Sequence, residues 1–331
     1  MRNGYLLKTL LLGIAAILVT SCTGISLKIG SRSEDPLKEY TLEGRGREKV
    51  LVIPVMGFLS DASERGLLAN RPSMVEEIVA ELRKAQEDHN IKAVLLEINS
   101  PGGSTTASDV LYHEIQRFKE MTNVKVVAAF MDVAASGGYY LALPSDLIVA
   151  HPTAVTGSIG VVMITPKVAG LMDKIGVAME VNKSGSEKDM GSPFRASTPE
   201  EQRILQELIA GLGARFLSLV AKHRGVDSAA LAGISTARIY SSEEALGLKL
   251  VDRIGYLGDA LTDAKRLAGI RDDAKVIAYR RTKYPNDNVY NPSTSWDQGE
   301  GLSLIDIRIH EILPILAPGF YYLWMPGMTS K

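Results

Sequence analysis

Two short segments carry the candidate chemistry of this chain. Ala135-Ser136-Gly137-Gly138-Tyr139 sets a serine among small residues at the expected start of a helix. Ser184-Gly185-Ser186-Glu187-Lys188-Asp189 sets a lysine in a Ser/Gly-rich stretch 52 positions downstream. A serine hydroxyl attacks a carbonyl only when a base takes its proton, and a lysine amine serves as that base when it is neutral. A free lysine has a pKa of about 10.4, so its surroundings must lower that value, as burial does. Lys183 is a nearby competitor for the role. Asp189 would favour a charged Lys188 unless it turns elsewhere, and Arg195 is the candidate partner for it.

Acyl transfer also needs donors for the oxygen that becomes negative. Ser100-Pro101-Gly102-Gly103 precedes an expected helix. Without side chains, the N–H groups of Gly102 and Gly103 can approach a carbonyl closely, and a helix N-terminus adds partial positive charge. Gly137, just after the serine, offers a second donor. Each glycine pair taken singly is explained by a tight turn; beside Ser136 and Lys188 the functional reading is stronger.

The five histidines, His89, His113, His151, His223 and His310, are scattered without metal-ligand spacing. His151 lies near Thr156-Gly157-Ser158, so a Ser136–His151 pair is the rival dyad. No glycine-rich phosphate loop is present, and no cofactor or metal is expected. A formal net charge of −1 gives no reason to expect nucleic acid as a partner. The 46% hydrophobic and 23% charged content is that of a globular protein.

The elements that must position these residues alternate. Val50–Val55 reads as a strand. Pro72–His89 reads as a helix, with Met74, Val75, Ile78, Val79, Leu82 and Ala85 at helical spacing. Ile91–Ile98 and Val124–Phe130 read as buried parallel strands, from their continuous apolar runs. Asn99–Gly103 reads as a turn, followed by a helix over Ser104–Met121; Ala134–Gly138 is a second strand-to-helix turn. Ser197–His223 reads as a long helix, opened by Thr198-Pro199-Glu200-Glu201. Strand and helix in this order predict an α/β fold with a parallel sheet and crossover helices.

The motifs at Ser100–Gly103, Ser136, Thr156-Gly157-Ser158-Ile159-Gly160 and Lys188, in that order, resemble the signal peptide peptidase A (SppA) family of serine/lysine proteases. The resemblance runs from about Val50 to about Leu267. It implies a ClpP/crotonase-like layered sheet and a Ser136/Lys188 dyad. It puts the family's S-G-x-x-K-D spacing on Lys188 and gives Ser158 the task of orienting the amine. It assigns the oxyanion hole to Gly103 and Gly137, with Gly102 left open as the alternative. It further implies a homo-oligomer, since single-length chains of the family form rings, and apolar substrates such as cleaved signal peptides. Val133, Tyr139 and Ile159 are candidate walls for an apolar groove by nearness in sequence alone. Two other classes stay in view: a crotonase-like acyl-CoA enzyme, and an inactive lipid-anchored assembly protein of the same fold.

The N-terminus reads as an address. Arg2 and Lys8 precede an apolar run of 11 residues, Leu10–Thr20. That is short for a bilayer span, which takes about 20 residues, and suits a secretory signal. The run closes on Leu18-Val19-Thr20-Ser21-Cys22, which resembles a bacterial lipobox, with Cys22 as the lipidated residue. A lone cysteine also excludes an intrachain disulfide. The expected organisation is a leader at 1–21, a tether at 22–49, a peptidase domain at 50–280, and a polar linker with an apolar tail at 281–331. The expected place is the bacterial cell envelope, membrane-anchored through Cys22, with the catalytic domain outside the cytoplasm. The tail, from Leu313 to Met325, either packs on its own domain or contacts a neighbouring subunit or the membrane interface.

Overall fold

The apolar runs form the centre of a sheet, and the amphipathic segments cover both of its faces. The computed structural model describes residues 35–65, 70–281, 283, 287–291 and 318–326. The expected leader at 1–21, Cys22, and the part of the apolar tail before residue 318 lie outside the described residues.

In chain order the first half contains β1 (Lys38–Glu43), β2 (Lys49–Leu59), the short strands β3 (Glu64–Arg65) and β4 (Asn70–Arg71), and α1 (Met74–Glu87). Then follow β5 (Ile91–Ser104), α2 (Thr105–Thr122), β6 (Lys125–Ala135) and α3 (Gly137–Ala142). Next come β7 (Leu147–Ala150), β8 (Val155–Gly157), β9 (Val162–Ile164), α4 (Ala169–Ile175) and α5 (Pro199–Arg224). The rest comprises α6 (Ser228–Ile234), β10 (Ile239–Ser241), α7 (Ser242–Gly247), β11 (Arg253–Ile254), α8 (Leu257–Leu267), β12 (Lys275–Arg280) and β13 (Gly319–Leu323).

The main sheet runs β1-β12-β2-β5-β6-β7-β11. From β12 to β11 every pairing along this path is parallel; β1 joins β12 antiparallel. Side chains alternate between faces, as a strand requires. Leu51, Ile53, Val94, Leu96, Val126 and Ala128 pack with α1, α2 and α3 on one face. Val50, Val52, Ala93, Leu95, Val127 and Ala129 pack with Leu257, Ala260, Leu261 and Ala264 of α8 on the other. A central parallel sheet covered on both sides is the reason its strands read as unbroken apolar runs.

Helix starts follow local chemistry. Ser73 accepts from the Glu76 N–H at 3.1 Å, and the Glu76 carboxylate accepts from the Ser73 N–H at 2.7 Å. Thr198 and Glu201 form the same reciprocal box at the head of α5, with Pro199 in its first turn. Each such cap contributes roughly 1 kcal/mol.

Three expectations change. Asn99–Gly103 is the end of β5 and not a turn, with a register shift against β6 between Ile98 and Ser100. Lys38–Glu43, inside the expected tether, pairs with β12. Gly319–Leu323, inside the expected separate tail, is a strand of the main sheet, paired with both β5 and β9. For these residues the local-packing reading of the tail is the observed one.

Candidate active site

Ser136 sits where β6 passes into α3, at φ 53° and ψ −115°. A residue with a side chain rarely adopts this conformation, and holding it takes about 1–3 kcal/mol from the surroundings. The surroundings are dense. The Ser136 N–H donates to the Gly157 carbonyl at 2.8 Å, and the Tyr140 N–H donates to the Ser136 carbonyl at 2.9 Å. A Cβ on Gly137 would lie 2.4 Å from Ser108 Oγ, and one on Gly138 would lie 2.6 Å from the Ser100 carbonyl oxygen. Only glycine fits at both places, which explains the small residues around the serine. Ser136 is fully buried, and its Oγ has no hydrogen-bond partner among the described residues.

Gly102 and Gly103 close β5 beside this turn. The Gly102 N–H donates to Ser100 Oγ at 3.1 Å and is therefore engaged. Opposite lies β13, antiparallel, with Tyr322 facing Gly103 and Leu323 facing Gly102. The Trp324 N–H donates to the Pro101 carbonyl at 2.9 Å. Antiparallel bonding alternates by two residues, so the Gly103 N–H is directed at the Tyr322 carbonyl. The same oxygen is near the second candidate donor: a Cβ on Gly137 would lie 3.0 Å from it, and one on Gly102 only 2.0 Å. Gly103 and Gly137 thus both lie close to the Tyr322 carbonyl oxygen.

Ser158 follows β8, whose residues Val155–Gly157 pair in parallel with Val133–Ala135 of β6. Gly157 lies opposite Ala135, so Ser158 and Ser136 are the next residues in register. Ser158 is buried at φ 50°, and its N–H donates to the Arg238 carbonyl at 2.9 Å. His151 is turned to other partners: its Nδ1 is 2.8 Å from Thr153 Oγ1 and its ring packs edge-on against Tyr256. It makes no hydrogen bond to Ser136.

Lys188 is elsewhere. It lies in the segment between α4 and α5, which is exposed over residues 176–186 and largely half-buried from 189 to 195, and it is itself exposed. The structure does not bring its amine into hydrogen bonding with Ser136 within one chain. The neighbouring carboxylate is taken up, as expected, by Arg195: Nε and Nη2 each donate to Asp189 at 2.8 Å. Lys183 Nζ also contacts Asp189, at 2.7 Å, which removes Lys183 as a free base. The other edge of Arg195 reaches Glu201, with Nη1 to Oε2 at 2.9 Å, so one guanidinium ties the Lys188 segment to the cap of α5. These hydrogen bonds hold the Asp189 carboxyl well below the usual carboxylate range, with Arg195 the largest cause.

Helix α4 exposes Leu171 and Ile175, and the segment after it exposes Val177, Met179, Val181 and Phe194. Helix α5 is long and apolar enough to cross a membrane by length and composition, yet only 11% of its apolar window is buried. Its Phe216 and Val220 belong to the same core as the β6–α3 turn.

Sequence reasoning missed the aromatic wall beside Ser136. Tyr139 and Ile159, expected on a groove, are core residues; the Tyr139 hydroxyl donates to the Leu250 carbonyl at 2.8 Å. Tyr140, one residue on, faces the tail instead and stacks on Tyr322 at 4.9 Å. The signal for it is weak: two adjacent tyrosines in a six-residue helix do not say which one meets the tail. Among the described residues no cluster of His, Cys, Asp or Glu could hold a metal.

Comparison with known proteins gives a consistent picture. The profile of peptidase family S49 matches residues 119–271, and that of Clp protease matches residues 68–155. A protein of Enterococcus faecium, assigned as a signal peptide peptidase SppA, is 36% identical over 279 residues, covering 84% of this chain and 80% of its own. The chloroplastic serine protease SPPA of Arabidopsis thaliana is 32% identical over 82% of this chain and 39% of its own. Among solved structures, a serine-to-alanine mutant of the 1510-N membrane-bound stomatin-specific protease aligns with a TM-score of 0.42 and 18% identity. That alignment covers 67% of this chain and 86% of its own.

Proposed function

The chain belongs to peptidase family S49 and is a serine peptidase with a ClpP-like α/β fold, and from that premise we propose that it is an endopeptidase for apolar peptides, cleaved signal peptides among them. Ser136 is the nucleophile and Lys188 the base, with the Lys188 of one copy serving the Ser136 of a neighbour. Cys22 is the lipid anchor that holds the assembly at the membrane of the bacterial envelope, outside the cytoplasm.

The observation that carries this reading is the convergence at Ser136. A buried hydroxyl without a partner among the described residues sits on a strained turn, with Gly103 and Gly137 both close to one carbonyl oxygen of a paired strand. The lysine amine takes the Ser136 proton as Oγ bonds to the substrate carbonyl carbon. The oxygen of the tetrahedral intermediate is held by the N–H groups of Gly103 and Gly137, where donors fixed in advance act most strongly. The C–N bond then breaks, the lysine returns the proton to the departing amine, and water releases the acyl group from Ser136. Ser158, adjacent in register, orients the amine.

The base arrives from a second copy because the first chain leaves it in solvent. Lys188 is exposed while Ser136 is buried, and α4 together with the segment carrying Lys188 presents six exposed apolar side chains. Covering that segment would bury them and exclude water from the amine, the condition a lysine base needs. Repeated head-to-tail contacts of this kind close into a ring.

The test is cleavage of a synthetic signal peptide by the full chain in detergent, with Ser136→Ala as control. Cleavage by the unmodified chain and none by the variant supports the reading. Equal cleavage by both removes it.

A further inference from the structure

Strand β5 is irregular where it reaches the Ser136 turn. Against β2, Met56 pairs with Asn99 and Phe58 with Gly102, so Gly57 alone faces Ser100 and Pro101. Against β6, Ile98 pairs with Phe130 and Ser100 with Ala134, so Asn99 alone faces Met131, Asp132 and Val133. Both ladders lose backbone bonds at the same place, and Pro101 has no N–H to offer. Side chains fill the gaps. Asn99 Oδ1 accepts from the Val133 N–H at 3.2 Å. Ser100 Oγ donates to the Gly57 carbonyl at 2.6 Å and accepts from the Gly102 N–H at 3.1 Å.

Ser100 is fully buried. Its hydroxyl has a single proton, which goes to Gly57, so toward Gly102 it can only accept. The bond to Gly102 spans two residues, the short link by which a serine side chain replaces a backbone turn. Two consequences follow for the site. The Gly102 N–H, held inside the bulge at φ 101°, is engaged, which leaves the next amide, that of Gly103, as the donor on this side. Gly102 is also set directly against the other side: a Cβ on it would lie 2.7 Å from the Gly137 nitrogen. The Ser100 carbonyl abuts the same turn, 2.6 Å from where a Cβ on Gly138 would stand. One buried serine thus stands between the two strand ends that carry the proposed oxyanion donors.

Resting on the serine-peptidase reading, we infer that Ser100 is a positioning residue for the oxyanion hole: acting through Gly102, its hydroxyl selects Gly103 as the donor and sets the spacing from Gly103 to Gly137. The substrate oxygen becomes negative only as Ser136 Oγ bonds to the carbonyl carbon. A displaced donor therefore raises the transition state and spares the bound substrate. Without the hydroxyl, the Gly102 N–H loses its acceptor, and the bulge relaxes toward another.

The experiment compares the full chain with its Ser100→Ala variant in detergent, by three readouts. On a synthetic signal peptide, kcat should fall about 10–100-fold. The Ki of a peptide aldehyde of the same sequence should rise by a similar factor. Ser136 Oγ adds to the aldehyde carbon, its proton passing to the Lys188 amine, and the former carbonyl oxygen then occupies the hole as in the transition state. The Kd of the uncleaved peptide, measured with Ser136→Ala in both chains, should stay within about 2-fold. A serine that only supported the fold would lower Tm or the fraction of working sites without separating kcat from Kd. Ser100→Thr, which keeps a hydroxyl, should restore most of kcat. Should Ser100→Ala fail to fold, Ser100→Cys fills the same space with a weaker hydrogen-bonding group and carries the same three readouts. An unchanged kcat, or a loss that appears equally in the peptide Kd, overturns the inference and leaves the peptidase reading standing. An unmodified chain that neither cleaves the peptide nor takes up the aldehyde removes the peptidase reading, and the inference with it.

Discussion

The two halves of the proposed dyad stand in opposite environments. Ser136 is fully buried on a turn fixed by β5, β6, β8 and α3, with its own N–H and carbonyl both hydrogen-bonded. Lys188 is exposed on a segment tied down mainly by Arg195, Asp189 and Glu201. The proposed nucleophile and the glycines proposed as oxyanion donors are thus placed by the folding of one chain, whereas the proposed base is left for something outside that chain to place. The comparison teaches where stability and activity separate: changes near Ser136 disturb packing, and changes near Lys188 disturb only chemistry and assembly.

The largest effect should come from the dyad. Ser136→Ala and Lys188→Ala should each lower kcat on the order of a thousandfold or more, and the double variant should be little worse than either single one. Lys188→Arg should not rescue, because a guanidinium stays protonated. Thermal unfolding separates the halves: Lys188→Ala should leave Tm in place. A Lys188→Ala chain that keeps near-normal activity while His151→Ala loses it would replace the lysine by the histidine.

A smaller effect is expected at Arg195. Arg195→Ala cuts the tie between the Lys188 segment and the cap of α5, and should lower kcat by roughly tenfold through misplacement of the amine. Its kcat loss should reach a plateau at added substrate, which distinguishes it from weakened peptide binding. Ser158→Ala should be milder still, a loss of several-fold, since it removes one orienting hydroxyl.

The smallest effect on activity should come from the buried half. Glu97 in β5 is 3% exposed, its Oε2 has no hydrogen-bond partner among the described residues, and burial pushes its carboxyl up to about 7. Its folded value is above its unfolded one, so the folded state holds the extra proton. Stability should therefore fall as pH rises from about 4.5 through about 7 and level off above. Glu97→Gln should flatten that slope in urea titrations, while cleavage is unchanged. An equally steep slope in the variant would assign the pH dependence to other groups.

Much of the site was legible because its requirements are local. Small residues around Ser136 and the glycine pair in β5 are demanded by contacts under 3 Å, and such demands leave marks in sequence. The Asp189–Arg195 pairing was legible for a similar reason, since a carboxylate beside a candidate base needs a partner nearby. Buried parallel strands announced themselves as apolar runs. Long-range placement left no such mark. That Asn99–Gly103 continues β5 depends on pairing with β2 and β13, one of them more than 200 residues away. That Tyr140 and not Tyr139 meets the tail depends on the roll of a six-residue helix. The exposure of Lys188 depends on what covers it, which one chain's sequence does not state.

The central claim is that the base comes from a neighbouring copy, and complementation tests it most directly. Inactive Ser136→Ala and inactive Lys188→Ala chains are mixed in equal amounts, dissociated, reassembled and assayed on a synthetic signal peptide. If Lys188 acts across the interface, intact sites form wherever a Lys188→Ala copy contributes Ser136 and its neighbour contributes Lys188. About a quarter of the wild-type activity should then return in a randomly assembled ring. If the mixture reassembles to the same size as the wild type and stays as inactive as its components, the two residues act within one chain and the account is wrong.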